Sequence, residues 1–215
     1  MQPERYLLRL QIAEHIPPDI ESCLDIGGGD GKRYRQLFED RGIKYKSLDI
    51  NPDLIPDIVS SAESLPFENG KIEFILSSQM LEHVLNPLEC LKEIFRVLKP
   101  GGYLLITVPQ ANELHSEPFD FWRFTNFGMI HLLETVGFQI QASASRGNYP
   151  IVICQMRIRR WIDSFNPYQN SKFLLFLYPI SRLYLRISLR LDNIYTGRAS
   201  QKHTLGWTFL AKKLD

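Results

Sequence analysis

One run constrains this chain more than any other: Cys23-Leu24-Asp25-Ile26 passes directly into Gly27-Gly28-Gly29-Asp30-Gly31. A short strand-forming stretch meets residues that turn tightly, let a ligand approach the backbone, and leave the next helix's free N–H groups facing a crevice. That arrangement predicts the first βα unit of a doubly wound parallel sheet. The glycine spacing is G-x-G-x-G. A dinucleotide fingerprint, G-x-G-x-x-G, needs a glycine where Lys32 stands. Asp49 ends the next strand-like run, where a carboxylate can accept hydrogen bonds from both hydroxyls of a ribose. A nicotinamide dinucleotide and a nucleoside-sulfonium cofactor both offer that diol.

The remaining pattern alternates strands and helices. Leu7, Leu8, Ile12 and Ile16 recur at helical spacing up to Pro17-Pro18. Helices are expected over 32–41, 86–98 and 127–136, the second stopped by Lys99-Pro100-Gly101-Gly102. Strands are expected at 23–26, 45–50, 57–59, 72–76, 103–108, 138–143 and 205–211, which makes seven. A balance of 25 Lys/Arg against 24 Asp/Glu supplies no global field for nucleic acid. Cys23, Cys90 and Cys154 have no zinc-type or disulfide-framework spacing and read as core. The first residues lack the apolar core of a signal peptide, so the expected compartment is the cytoplasm.

The segments LDIGGGDG, SLDINPD and SSAESLPFENGKIEFILSSQMLEHVLNPLECLKEIFRVLKPGGYLLITVP resemble the class I S-adenosylmethionine-dependent methyltransferases, in their small-molecule, type 11-like branch. The resemblance covers about residues 20–110. It implies a Rossmann-like α/β sheet of order 3-2-1-4-5-7-6 with an antiparallel last strand, and S-adenosylmethionine as cofactor. Carried onto this chain, Asp25, Gly27 and Gly29 hold the methionine end. Asp49 holds the ribose and Ile50 packs on the adenine face. Ser61-Ala62-Glu63 reads the adenine edge, and Ser78 lines the methionine side. Ser61 stands where the family usually has Asp, so any bond from the adenine amino group there lacks charge assistance.

Transfer of a methyl group from a sulfonium needs alignment and a dry pocket above all, and a general base only for an acceptor that must lose a proton. Candidates follow the fourth and fifth strands, where ligands of open parallel sheets sit. His83 is one, its alternative being a loop-bonding histidine. The run His115 to Thr125 supplies His115, Asp120 and Arg123 among Phe119, Phe121, Trp122 and Phe124. These suit a polar ring such as a sugar, or else form packing and an ordinary ion pair, with Thr125 capping a helix. A similar P-x-DFWR-[FY]-T run occurs in relatives associated with bacterial surface-glycan genes. No metal is demanded by any spacing of His, Asp or Glu.

Residues 146–203 read as an insertion on a single domain spanning 1–215. Within it, 151–203 holds nine Lys/Arg against two Asp, a charge of +7 beside −6 for the rest. Phe173 to Ile180 is apolar but too short to span a bilayer. Arg182, Arg186 and Arg190 then recur every four residues among Leu183, Tyr184, Leu185, Ile187, Leu189 and Leu191. Residues 171–191 therefore suit peripheral contact with an anionic (inner) membrane surface, or a lid or dimer helix. The expected function is methylation of a small or lipid-linked molecule, with a saccharide of surface-glycan biosynthesis as the acceptor the loop suggests. The alternatives are a catalytically silent cofactor-binding module and a nicotinamide-dependent oxidoreductase. Nothing in the sequence specifies the oligomeric state.

Overall fold

In the computed structural model of the chain, residues 3–165, 171–194 and 202–214 are described. Among them, β1 (Ser22–Ile26), β2 (Lys44–Asp49), β3 (Ile58–Val59), β4 (Ile72–Ser78), β5 (Leu98–Pro109), β6 (Phe138–Ser145) and β7 (Gly206–Lys213) form one sheet. Its order is β3-β2-β1-β4-β5-β7-β6. β1 to β5 pair in parallel, and β7 runs antiparallel to both β5 and β6. The expected order and the reversed last strand both hold.

The helices are α1 (Pro3–His15), α2 (Arg35–Glu39), α3 (Pro87–Val97), α4 (Asn126–Val136), α5 (Tyr149–Phe165) and α6 (Ser171–Ile194). The central strands are apolar on both faces because helices cover both. Ile75, Leu104 and Ile106 pack with Leu91, Ile94, Met129 and Leu133 of α3 and α4. Phe74, Leu76 and Leu105 point the other way, to Ile12 of α1 and Phe38 of α2. Each such side chain contributes about 1.5–3 kcal/mol on burial. The three cysteines are buried and unbridged, as core residues are.

Two boundaries differ from expectation. The helix expected over 32–41 is only α2, because backbone bonds from Gly31, Tyr34 and Arg35 prolong the glycine turn. Tyr34 points inward to share a 2.9 Å hydrogen bond with Ser78. Lys99 to Gly102 does end α3, yet β5 has already begun at Leu98. The register jumps from Ile72↔Leu98 to Phe74↔Tyr103, so those four residues bulge out of the ladder with Gly101 at φ 77°. Thr125 caps α4 as expected, accepting from the Gly128 N–H at 3.1 Å, and Gly137 closes the helix in the left-handed conformation.

The stretch between β6 and β7 holds α5 and α6, which pack on each other. Leu185 of α6 is buried with Ile151, Val152 and Leu205, against Leu7 of α1. Arg146, fully buried at the end of β6, meets Glu4 of α1 at 3.3 Å. That pair ties the first helix over the sheet. The side chains of 171–178, most of the expected apolar run, lie outside the described residues.

Candidate active site

The carboxyl ends of β1, β2 and β4 open into a cleft of ≈ 1460 Å³. Small-molecule pockets are typically about 300–1,000 Å³, so a nucleoside cofactor leaves room here for a second reactant. All nine cofactor residues expected from the sequence line it: Asp25, Gly27, Gly29, Asp49, Ile50, Ser61, Ala62, Glu63 and Ser78.

Asp25, next to last in β1, is fully buried. Its Oδ2 accepts the Tyr45 hydroxyl and its Oδ1 has no partner. Burial pushes its carboxyl up to about 7, partly offset by the Tyr45 bond. A buried, unsatisfied acceptor on the cleft wall fits a cationic donor such as an amino acid's ammonium group. Gly27 has φ 77°, and a Cβ there would fall 2.3 Å from Met80 Cγ, so nothing larger can turn the chain at this point. The Asp49 carboxylate accepts from Gly29 N–H at 3.1 Å and Asn51 N–H at 3.0 Å. One lone pair on each oxygen remains for a ribose hydroxyl. Ile50 is 70% exposed beside it, an apolar face awaiting a flat ring.

The adenine-edge segment is partly self-engaged. Ser61 Oγ accepts from Glu63 N–H at 3.2 Å, and Glu63 accepts from Asn86 N–H at 3.3 Å ahead of α3. Ser78 Oγ bridges Tyr34 and Thr107 Oγ1, the latter at 3.2 Å. Ser78 thus joins a hydrogen-bonded stack in the cleft wall. Gln79 follows with φ 55°, an uncommon conformation for a side-chain-bearing residue, and also lines the cleft.

At the other end of the cleft, His83 and His115 meet edge to face, with ring centroids 4.9 Å apart. His83 Nδ1 lies 2.6 Å from the Phe119 carbonyl oxygen, so that nitrogen carries the proton. The bland expectation for His83 thus holds alongside its place in the cleft wall. His115 Nδ1 is 3.1 Å from the Glu113 carbonyl oxygen and 3.3 Å from Asp120 Oδ2. Both Nε2 atoms face Glu82 Oε1, His83 at 3.9 Å and His115 at 3.8 Å. Glu82 is 0% exposed and neither carboxylate oxygen has a hydrogen bond. Facing that carboxylate raises the His115 pKa.

Asp120 and Arg123 stand behind His115 and are absent from the cleft wall. Arg123 grips both Asp120 oxygens, Nη1 at 2.6 Å and Nη2 at 2.7 Å, as well as the Asn112 and Glu113 carbonyls. Asp120 Oδ2 also accepts the His115 N–H at 2.9 Å. This ion pair shapes the loop that presents His115. The aromatic quartet divides: Phe124 is core, Phe119 and Phe121 are exposed in the cleft wall, and Trp122 is exposed outside it, donating its Nε1–H to the Val84 carbonyl at 2.9 Å.

A family profile for the methyltransferase domain matches residues 3–141. The chain belongs to the methyltransferase domain family. Its cofactor is S-adenosylmethionine, the methyl donor of this family. An uncharacterized methyltransferase of Mycobacterium tuberculosis is 31% identical over 111 residues, 46% of this chain and 43% of that protein. The matched part thus spans less than half of such relatives. Among solved structures, the putative methyltransferase BH2331 of Bacillus halodurans superposes with a TM-score of 0.62 at 17% identity, covering 99% of both chains. The [4+2]-cyclase SpnF does so with a TM-score of 0.66 at 19% identity, covering 98% of this chain and 81% of its own. These likenesses concern the fold, which serves more than one reaction.

Several residues of this methyltransferase site escape sequence reasoning. Tyr34 and Tyr45 reach Ser78 and Asp25 from other elements, and Arg159 enters the cleft wall from α5. Glu82 was the most legible of those missed: it sits beside His83, but its burial depends on the loop at 112–124 folding over it. Phe121 and Trp122 N–H both donate to the Glu82 carbonyl, at 2.9 and 3.3 Å.

Proposed function

We propose that this methyltransferase transfers the S-adenosylmethionine methyl group to a small or lipid-linked acceptor carrying a polar ring, in the manner of a saccharide. The observation that carries this reading is the acceptor end of the cleft, where Phe119, 63% exposed, and Phe121 stand beside two histidines and Asn112. Exposed aromatic faces stack on the C–H face of a ring while polar groups take its hydroxyls. The bound cofactor supplies a methyl group on an already activated leaving group. The chain then has to orient an acceptor atom in line with that methyl, exclude water, and accept a proton where the acceptor carries one. Transfer of radiolabelled methyl to nucleotide sugars, lipid-linked saccharides, amines and phenols tests it. Phe119→Ala and Phe121→Ala should raise KM for the true acceptor about tenfold, the scale of one lost stacking contact. Turnover confined to amines, indifferent to both substitutions, refutes the ring. Cofactor binding with no turnover on any class leaves the silent-module alternative standing.

The same reading extends to a lipid surface. Ile180, Leu183, Ile187, Leu191 and Ile194 line the outward side of α6, flanked by Arg186 and Arg190, while Leu185 and Ser188 face inward. That is an apolar stripe beside basic residues in a stretch of charge +7, a pattern suited to an anionic headgroup layer. No helix of the described residues is long and apolar enough to cross a membrane. Sedimentation with anionic vesicles, lost in high salt and on Leu183→Glu/Ile187→Glu, is the expected result. Protein left in the supernatant refutes the contact and leaves α6 a lid or self-association helix.

A further inference from the structure

We infer that Glu82, His83 and His115 form a binding site for one divalent transition-metal ion of the zinc class, at the acceptor end of the cleft. The inference goes beyond methyl transfer and holds whichever acceptor is methylated. Its first support is convergence. One donor atom from each residue lies within 4.8 Å of the others, and the two Nε2 atoms are 3.8 and 3.9 Å from the same Glu82 oxygen. A point about 2.5 Å from all three exists in such a triangle, so closing to bonds of about 2.1 Å needs a shift of only about 0.4 Å.

The second support is the state of each donor. A carboxylate that is 0% exposed and lacks any hydrogen bond on either oxygen is costly, and a coordinated cation removes the cost. Both imidazoles are already oriented: each Nδ1 faces a backbone carbonyl, Phe119 for His83 and Glu113 for His115, and each Nε2 faces Glu82, where a cation would take the place of a proton. This outer hydrogen bond is what orients metal-bound histidines. Asp120, accepting the His115 N–H and itself held by Arg123, braces the third ligand. Two imidazoles and one carboxylate, with further positions open, is a ligand set of catalytic rather than structural zinc sites. His83 and His115 line the cleft, where an acceptor oxygen could bind the ion and lose its proton more readily.

The test uses chelator-stripped full-length protein titrated with zinc and, separately, with cobalt(II) alone. One ion per chain is expected, with cobalt giving visible bands of a four- or five-coordinate N/O site. Glu82→Gln and His115→Ala should each weaken binding at least tenfold. S-adenosylmethionine titration of both variants checks that they are folded, because neither residue belongs to the cofactor end. No uptake by the stripped wild type, or uptake equally strong in folded Glu82→Gln and His115→Ala, overturns the site and makes Glu82 and the imidazoles a proton-accepting cluster instead. Neither result depends on methyl-transfer activity, so failure here is distinguishable from failure of the acceptor reading.

Discussion

The two ends of the cleft are built by different means. At the cofactor end, Asp25, Gly27, Gly29 and Asp49 sit at the tips of adjacent strands, placed by backbone turns and pairing such as Asp25↔Ser47. At the acceptor end, Glu82 and His83 come from one short turn and His115 from a loop some thirty residues later, joined by side-chain and carbonyl contacts. Backbone geometry resists change, so the first end suits an invariant ligand. Side-chain assembly on a loop permits variation, so the second end suits whichever acceptor a given family member takes.

Substitutions that act at one end only would sharpen this comparison, and cross-effects would break it. The largest effect is expected for Gly27→Ala. Strain at φ 77° and collision with Met80 together cost about 3 kcal/mol or more, which should abolish measurable S-adenosylmethionine binding by calorimetry. Asp49→Ala should weaken that binding by about 1.5–3 kcal/mol, the scale of hydrogen bonds to a charged group, with melting temperature little changed. An unaltered affinity would place the ribose elsewhere.

Asp120→Ala should do the reverse. It leaves Arg123 without its partner and costs about 2 kcal/mol of stability, between an exposed and a fully buried pair, while cofactor titrations stay the same. Arg123 holds the Asp120 carboxyl down at about 2. Its stabilisation is therefore present above the ordinary carboxylate pKa and lost as pH falls toward 2. The acid limb of the wild-type stability curve should flatten in the variant. A loss of cofactor affinity matching that of Asp49→Ala would show that the two ends are coupled.

The smallest effect is a pH dependence at the cofactor end. Asp25 is faced by Tyr45, which donates to it, by the Arg33 charge, and by Asp49 and Cys23. With its folded pKa raised to about 7, it contributes stability below its unfolded value that is lost as pH rises through 7. A ligand ammonium favours the ionised form. Affinity for S-adenosylmethionine should thus fall as pH drops below 7, by at most about tenfold per unit, and Asp25→Asn should remove the slope. A slope unchanged in Asp25→Asn assigns the titration to another group.

Much of this chain was legible in order of residues alone. Glycines at G-x-G-x-G, an acid at the next strand's end and short continuous apolar runs bounded by turn residues determine a doubly wound sheet, because turns and apolar runs depend on neighbours in the chain. The bulge at Lys99–Gly102 and the short α2 were not legible, since pairing register and the inward path of Tyr34 depend on partners far along the chain. Only the tertiary structure separated Phe124 from Phe119 and Phe121, set Asp120 and Arg123 behind His115, and buried Glu82 between two imidazoles. Helical spacing in α6 offered apolar and basic residues without saying which side packs. Burial of Leu185 and Ser188 against the domain decided it, because which face loses water is a property of what lies next to the helix, not of the helix.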